Sequence, residues 1–332
     1  MDLSTESKTT PKTAEELQRM FDIFSSANPF PESPAGLYDA VRHIMAIPGK
    51  RLRPILLMAA AEMFGAEAEE AAPAALAVEW YHNSTLVHDD IMDAADLRRG
   101  MPTVHNVYGI NTAINTGDVM IIRTYEMLAK LKGAGAVHVM NTFTKAATEV
   151  IEGQTMDLDF ETRTDVTVEE YLKMIELKTS VLIAAAIRMG AQIGGASARN
   201  AEAMYQFGLN LGISFQIKDD WLDSFGEGEK TGKKVGGDIL RKKRTLLYLM
   251  ARAKANDKQR AELTRLETEP DADAKIRGTL AIWDTLGIRN LAEARIAEFY
   301  EEALRNLDSV MVDDERKNVL RDLARRIFER DF

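Results

Sequence analysis

AAPAALAVEWYHNSTLVHDDIMD, residues 71–93, is the stretch on which the fold turns. Its alanine, leucine, valine and aromatic positions recur at helical spacing. Pro73 stands near the start, where a helix tolerates proline. The spacing predicts a long helix whose end carries three carboxylates. Asp89 and Asp93 are four residues apart and share one helix face, with Asp90 beside them. Carboxylates this close repel one another and resist joint ionisation. A solvated acidic helix end is the plain alternative for such a cluster, and the weaker one here even when the motif is taken alone.

The cluster is not alone. DDWLD, Asp219–Asp223, repeats the spacing 130 residues later, at the end of a second long helix predicted over 198–223. A hard cation resolves the repulsion, because Mg²⁺ prefers oxygen ligands and binds one or two carboxylates together with substrate phosphate. Two acidic helix ends suggest facing rims around one diphosphate, with Asp89, Asp90, Asp93, Asp219, Asp220 and Asp223 as the metal-ligand candidates.

The rest of the chain supports a helical reading. Ala, Leu, Met, Glu, Lys and Arg dominate, and β-branched runs are scarce. None of the nine prolines falls between Thr103 and Glu269, as expected if long helices fill that span. Helices are predicted near 14–25, 36–47, 51–63, 111–131, 135–160, 167–194, 238–254, 272–285, 288–307 and 312–329. No fixed-period repeat or linker-like stretch divides the chain, so the expected architecture is all-α. It is a single large helical bundle around a central cavity, over residues 13–332, behind a flexible polar N-terminus at 1–12.

The 332 residues include no cysteine, which excludes disulfides and thiolate chemistry and suits a reducing, cytoplasmic setting. The N-terminal residues are polar and acidic, unlike a secretory signal. No apolar run approaches the roughly 18 residues of a membrane span. The net charge of −10 argues against nucleic-acid binding. An acidic chain that binds an anion must gather its cations locally. LRRG brings Arg98 and Arg99, GKRLRP brings Lys50, Arg51 and Arg53, LKTS brings Lys178 and Thr179, TGKKVGGD brings Lys233 and Lys234, and RKKRT brings Lys243 and Arg244. Each by itself reads as a solvated surface charge. The glycine-rich FGEGEKTGKKVGGD, Phe225–Asp238, reads as a mobile loop.

In order, GKRLRP, His82, DDIMD with LRRG, Gly153-Gln154, Lys178-Thr179, FQIKDDWLD, TGKKVGGD and the lysine of KKRT resemble the trans-isoprenyl diphosphate synthases, the polyprenyl synthetase family, over residues 45–250. The resemblance implies an all-α homodimer that condenses isopentenyl diphosphate head-to-tail with an allylic diphosphate. The cofactor it implies is Mg²⁺, three per active site, with Mn²⁺ able to substitute. By the same resemblance Asp89, Asp90 and Asp93 hold metal on the allylic side, and Asp219, Asp220 and Asp223 complete the cluster. Arg98, Lys178, Thr179, Gln216 and Lys233 hold the allylic diphosphate, with Lys243 closing over it. Lys50, Arg53, His82 and Arg99 hold isopentenyl diphosphate, and Arg51 receives no contact. The catalytic set is Asp89, Asp90, Asp93, Arg98, Lys178, Asp219 and Lys233, and the glycine-rich loop would gate the cavity.

Chain length is read before the first motif. Ser84, five positions ahead of Asp89, stands where short-chain family members commonly carry a bulky aromatic, and Thr85 is also small. Tyr81 lies about 12 Å from Asp89 along a helix and is the candidate floor of a deeper cavity. The expected product is C20 or C25, with C15 or longer polyprenyl products as alternatives. A terpene cyclase or head-to-head synthase would not need the isopentenyl diphosphate residues. A non-catalytic partner subunit would not need both intact aspartate motifs.

Overall fold

The computed structural model describes residues 12–133, 135–226 and 235–329. Lys233, Lys234 and most of the predicted gating loop, 227–234, lie outside the described residues, as do residues 1–11 of the predicted flexible N-terminus. Among the described residues the protein is all-α apart from a two-stranded hairpin, in which Leu97 pairs with Pro102 and Arg98 with Met101. The chain divides into two compact units.

The first unit comprises residues 1–140, 186–201 and 311–323. It contains α1 (Ala14–Ser26), α2 (Ala35–Ala46), α3 (Leu52–Met63), α4 (Ala68–Met92), α5 (Val104–Tyr108) and α6 (Ile110–Leu128). Thr13 starts α1 with a reciprocal capping box to Glu16, which satisfies two orphan amides. In α3, Pro54–Ala61 and Met63 are all buried. A helix apolar on every side must be sheathed by others, and α1 and α4 pack against it. The α4 helix begins one turn earlier than the opening stretch predicts. Glu67 and Glu70 form its capping box, so Pro73 falls in the second turn and forgoes one backbone bond. Its longest packing seam is with α6, beside a core containing Tyr38, Val41, Ile44, Val87, Val104 and Met120.

The second unit comprises residues 141–185, 202–310 and 324–332. Its core gathers Phe160, Tyr171, Ile213, Ile217, Leu246, Leu247 and Trp283. The region predicted as one helix over 167–194 is α8 (Val168–Ile175), a π-helical turn at Glu176–Ser180, and α9 (Val181–Ile193). The predicted helix at 238–254 is broken. A short α11 (Gly237–Leu240) is capped by Arg241 and followed by Lys242, whose φ of 58° is left-handed, and α12 (Leu246–Lys254) restarts where the Thr245 hydroxyl accepts the Tyr248 amide. A helix at Asp257–Glu267, α13, was not predicted. It starts with a capping box of Asn256 and Gln259 and buries only Leu263 and Leu266. The chain continues through Ala272–Leu286 and Ile288–Asp308 to Asn318–Glu329.

Candidate active site

The first aspartate motif sits on a defined helix end. Asp93 caps α4, Ala94 adopts φ of 47°, the Ala94 amide bonds Ile91 O, and the Ala95 amide bonds Asp90 O. This is a Schellman ending with alanine where glycine is usual. The negative end of the helix dipole adds to the repulsion among the carboxylates. Asp90 is 1% exposed and is gripped by Arg98, whose Nε lies 2.9 Å from both carboxylate oxygens and whose Nη2 lies 2.6 Å from Oδ1. Asp89 is half-buried and Asp93 is exposed. Asp90 is therefore internally compensated by Arg98, and Asp89 and Asp93 are the more accessible pair.

Seven residues before Asp89, His82 meets the GKRLRP segment. The Arg53 guanidinium donates to His82 Nε2 at 3.2 Å. A guanidinium can only donate, so Nε2 accepts and the neutral ring carries its proton on Nδ1. Burial first, then Arg53, Arg99, Arg98 and Arg51, hold this imidazole well below its ordinary value. Arg99 donates to Pro48 O at 2.6 Å. Burial and the charges of Arg98 and Arg51 draw its own pKa down, against the opposing pull of Glu79. Lys50 is exposed at the segment's edge. The structure thus brings Arg53, Arg98 and Arg99 within electrostatic reach of His82.

Arg51, which the sequence left without a role, anchors this segment. It adopts φ of 48° at the start of α3, pairs with the buried Glu79 and donates to Met45 O at 2.8 Å. Asn83 also donates to Glu79 Oε1, at 2.9 Å. Sequence reading missed Glu79. Its one signal is a carboxylate amid the apolar run of α4, with an arginine-rich segment elsewhere to partner it.

The second motif is held just as tightly. Asp220, 7% exposed, accepts from Tyr171 Oη at 2.5 Å and from Gln216 Nε2 at 3.0 Å, and Gln216 Oε1 accepts from Thr179 at 2.9 Å. Burial and the neighbouring Asp238 push the Asp220 carboxyl well above its usual range, with Asp219 adding to the rise. Asp223 accepts the Asp238 amide at 2.8 Å, and its carbonyl accepts the Gly236 amide at 2.6 Å. These bonds tie the motif to the chain just after residue 234. Tyr171 and Asp238 were not predicted as site residues.

Lys178 and Thr179 ride on the π turn. Gly153 of α7 (Ala136–Thr162) and Gly212 of α10 (Ala198–Phe225) pack against its backbone. A methyl on Gly153 would overlap the Lys178 amide, and one on Gly212 would fall 2.7 Å from Ser180 Cα. Lys178 Nζ lies 2.5 Å from Asp157 Oδ2, and Lys243 Nζ lies 3.8 Å from the same oxygen. The broken helix at Lys242 is what carries Lys243 into the irregular turn ahead of α12. Lys233 lies outside the described residues.

Among the described residues no three acidic or imidazole groups converge as a preformed metal site. The donors nevertheless suit Mg²⁺. They are all oxygen, and Mg²⁺ takes only one or two carboxylates before substrate phosphate and water complete its shell. Burial is the main cause of the raised Asp220 carboxyl and the carboxylates of Asp238 and Asp219 add to it, a setting in which a nearby divalent cation would favour the ionised form.

The polyprenyl synthetase sequence pattern matches residues 34–282. A geranylgeranyl diphosphate synthase from Methanosarcina mazei is 41% identical over 304 residues, covering 90% of this chain and 91% of that protein. A geranylfarnesyl diphosphate synthase from Natronomonas pharaonis is 35% identical over 320 residues, covering 91% and 92%. The crystal structure of a geranylgeranyl pyrophosphate synthase superposes with a TM-score of 0.92 at 41% identity, covering 97% of this chain and 100% of that one. With both aspartate motifs and their cationic neighbours in the order this family uses, the chain belongs to the polyprenyl synthetase family as a trans-isoprenyl diphosphate synthase.

Proposed function

We propose that the protein condenses isopentenyl diphosphate head-to-tail with an allylic diphosphate and releases a C20 or C25 product. One observation carries the reading. A single helix, α4, bears both the accessible Asp89 and Asp93 carboxylates and the neutral His82 that meets Arg53. On this reading α4 supports a metal-binding pair and a diphosphate-binding group seven residues apart.

Asp89, Asp90, Asp93, Asp219, Asp220 and Asp223 are the residues that would hold Mg²⁺, three per active site. When bound, it neutralises charge developing on the departing diphosphate. Arg98, Lys178, Thr179, Gln216 and Lys243 would hold the allylic diphosphate, with Lys233 joining them. Lys50, Arg53, Arg99 and His82 would hold isopentenyl diphosphate, and a neutral His82 supplies a hydrogen bond without further charge. As the allylic C–O bond breaks, the isopentenyl double bond attacks the allylic carbon. A proton then leaves the adjoining carbon, and the departed pyrophosphate can accept it. The hydrocarbon cation must be kept from water. Ser84 and Thr85 turn their hydroxyls onto their own helix, toward Tyr81 O at 2.7 Å and His82 O at 2.8 Å. Satisfied hydroxyls of this kind make an inert wall for a growing hydrocarbon. Tyr81, buried one turn earlier, is proposed as its floor.

We take residues 13–332 as one catalytic domain, since the family pattern spans residues of both units. We take the working form as a homodimer, supported by the exposed Ile110, Ile114 and Ile122 on α6. No helix among the described residues is long and apolar enough to cross a membrane, consistent with a cytoplasmic enzyme. The test is incorporation of labelled isopentenyl diphosphate by the purified chain, with geranyl or farnesyl diphosphate as primer. Product masses of C20 or C25 that vanish on chelation support the reading. Exclusive C15, or no incorporation with Mg²⁺ present, refutes it.

A further inference from the structure

We infer that Asp157 is a positioning residue, an internal counter-anion that parks Lys178 and Lys243 between turnovers and yields them to diphosphate. The inference rests on the reading that these two lysines contact the allylic diphosphate. Asp157 itself lies outside every motif that led to that reading.

The geometry is specific. Asp157 Oδ2 lies 2.5 Å from Lys178 Nζ and 3.8 Å from Lys243 Nζ, so one oxygen serves two ammonium groups. All three side chains are largely sheltered, at 19%, 22% and 27% exposure. The lysines come from independent supports. Lys178 comes from the π turn wedged between Gly153 and Gly212, and Lys243 from the turn that follows the left-handed Lys242. Burial alone would raise the Asp157 carboxyl, but Lys178, Lys243 and, more weakly, Arg241 hold it below its usual value. The group is therefore a standing negative charge, and with two ammoniums against it the trio keeps a surplus of one positive charge.

A phosphate oxygen competes for the same N–H donors that Asp157 already occupies. Every diphosphate that binds must displace the carboxylate, and every pyrophosphate that leaves is replaced by it. An internal competitor lowers affinity for substrate and product alike, which matters most when product release limits turnover. A carboxylate that merely braced the fold would have no such effect on pyrophosphate.

The experiment measures pyrophosphate in two ways on the full chain with Mg²⁺, as product inhibition of turnover and as direct binding by calorimetry. Asp157→Asn keeps the shape and removes the charge. Its pyrophosphate inhibition constant is expected to fall at least tenfold, about 1.4 kcal/mol. The KM for the allylic diphosphate and kcat should fall with it, while the KM for isopentenyl diphosphate stays within about twofold. Asp157→Glu, which restores the charge, should return the inhibition constant to within about threefold of the parent protein. If the Asn variant does not fold, Asp157→Ser carries the same expectation. An unchanged or larger inhibition constant in a folded neutral variant overturns the inference, as does an Asp157→Glu variant that behaves like Asp157→Asn. If the parent protein fails to incorporate isopentenyl diphosphate, the functional reading fails separately, and the calorimetry still decides the role of Asp157.

Discussion

Gly153→Ala is the smallest change that should damage the proposed site without touching a charged residue. The added methyl overlaps the Lys178 backbone amide and falls 2.7 Å from the Leu177 carbonyl carbon. Ordinary carbon contacts lie near 3.5–4.0 Å, so one backbone must retreat by about 1 Å. Neither neighbour is a flexible side-chain end that could swing aside. Overpacking of this kind costs about 1–3 kcal/mol of stability, which a folded domain can survive. The displaced segment carries Lys178 and Thr179, and a misplacement of about 1 Å in a positioning group costs about 10²-fold in rate. Steady-state assays with both diphosphates should show kcat/KM falling about 100-fold, while denaturant unfolding reports only the modest loss in stability. A Gly153→Ala protein with parental kcat/KM would refute the argument that this close approach sets the lysine. Gly153→Ser should be no better, since its Cβ meets the same atoms.

Glu79→Gln removes the carboxylate from the buried pair with Arg51, and breaking such a pair costs about 3–5 kcal/mol. Denaturant unfolding checks it, and a loss below about 1 kcal/mol would show the pair to be incidental. His82 makes stability pH-dependent, because its folded-state value lies well below that of the unfolded chain. Its contribution is complete above about pH 6.5 and is lost as pH falls below that value, since the unfolded chain then binds a proton the folded chain refuses. Against His82→Gln, the parent protein should lose stability more steeply as pH falls from 6 to 5, and parallel curves would remove His82 as the cause. Tyr81→Ala should shift products beyond those of the parent enzyme by one or more five-carbon units, read by mass. An unchanged product would take Tyr81 out of the chain-length floor.

The aspartate-tipped helices were legible in the sequence because a run of apolar residues ending in paired acids states both pattern and chemistry. Other features escaped for identifiable reasons. The π turn at Glu176–Ser180 inserts one residue into a helix, too local a change to alter an apolar period read over two or three turns. The break at Lys242 depends on one left-handed residue that is neither glycine nor proline. Helix α13 shows almost no apolar stripe, and its only strong sign was the Asn256–Gln259 pair at its start. Glu79, Asp157 and Tyr171 owe their places to partners 28, 21 and 49 residues away. Separations of that size have no signature in a single chain. Glu79 alone left a trace, as a lone acid inside an apolar helix, but nothing in the chain names Arg51 as its partner.

The π turn also separates two jobs that one regular helix would have fused. Upstream of the extra residue, Tyr171 faces Asp220, and downstream, Ala184–Ala186 and Ile187 are fully buried. An unbroken 3.6-residue winding would force a single phase on both stretches and fix Lys178 by whatever suited the packing. With the slip in place, a change of bulk in the downstream helix need not rotate the lysine. The buried downstream helix is thereby free to vary in volume while the turn that carries Lys178 keeps its aim.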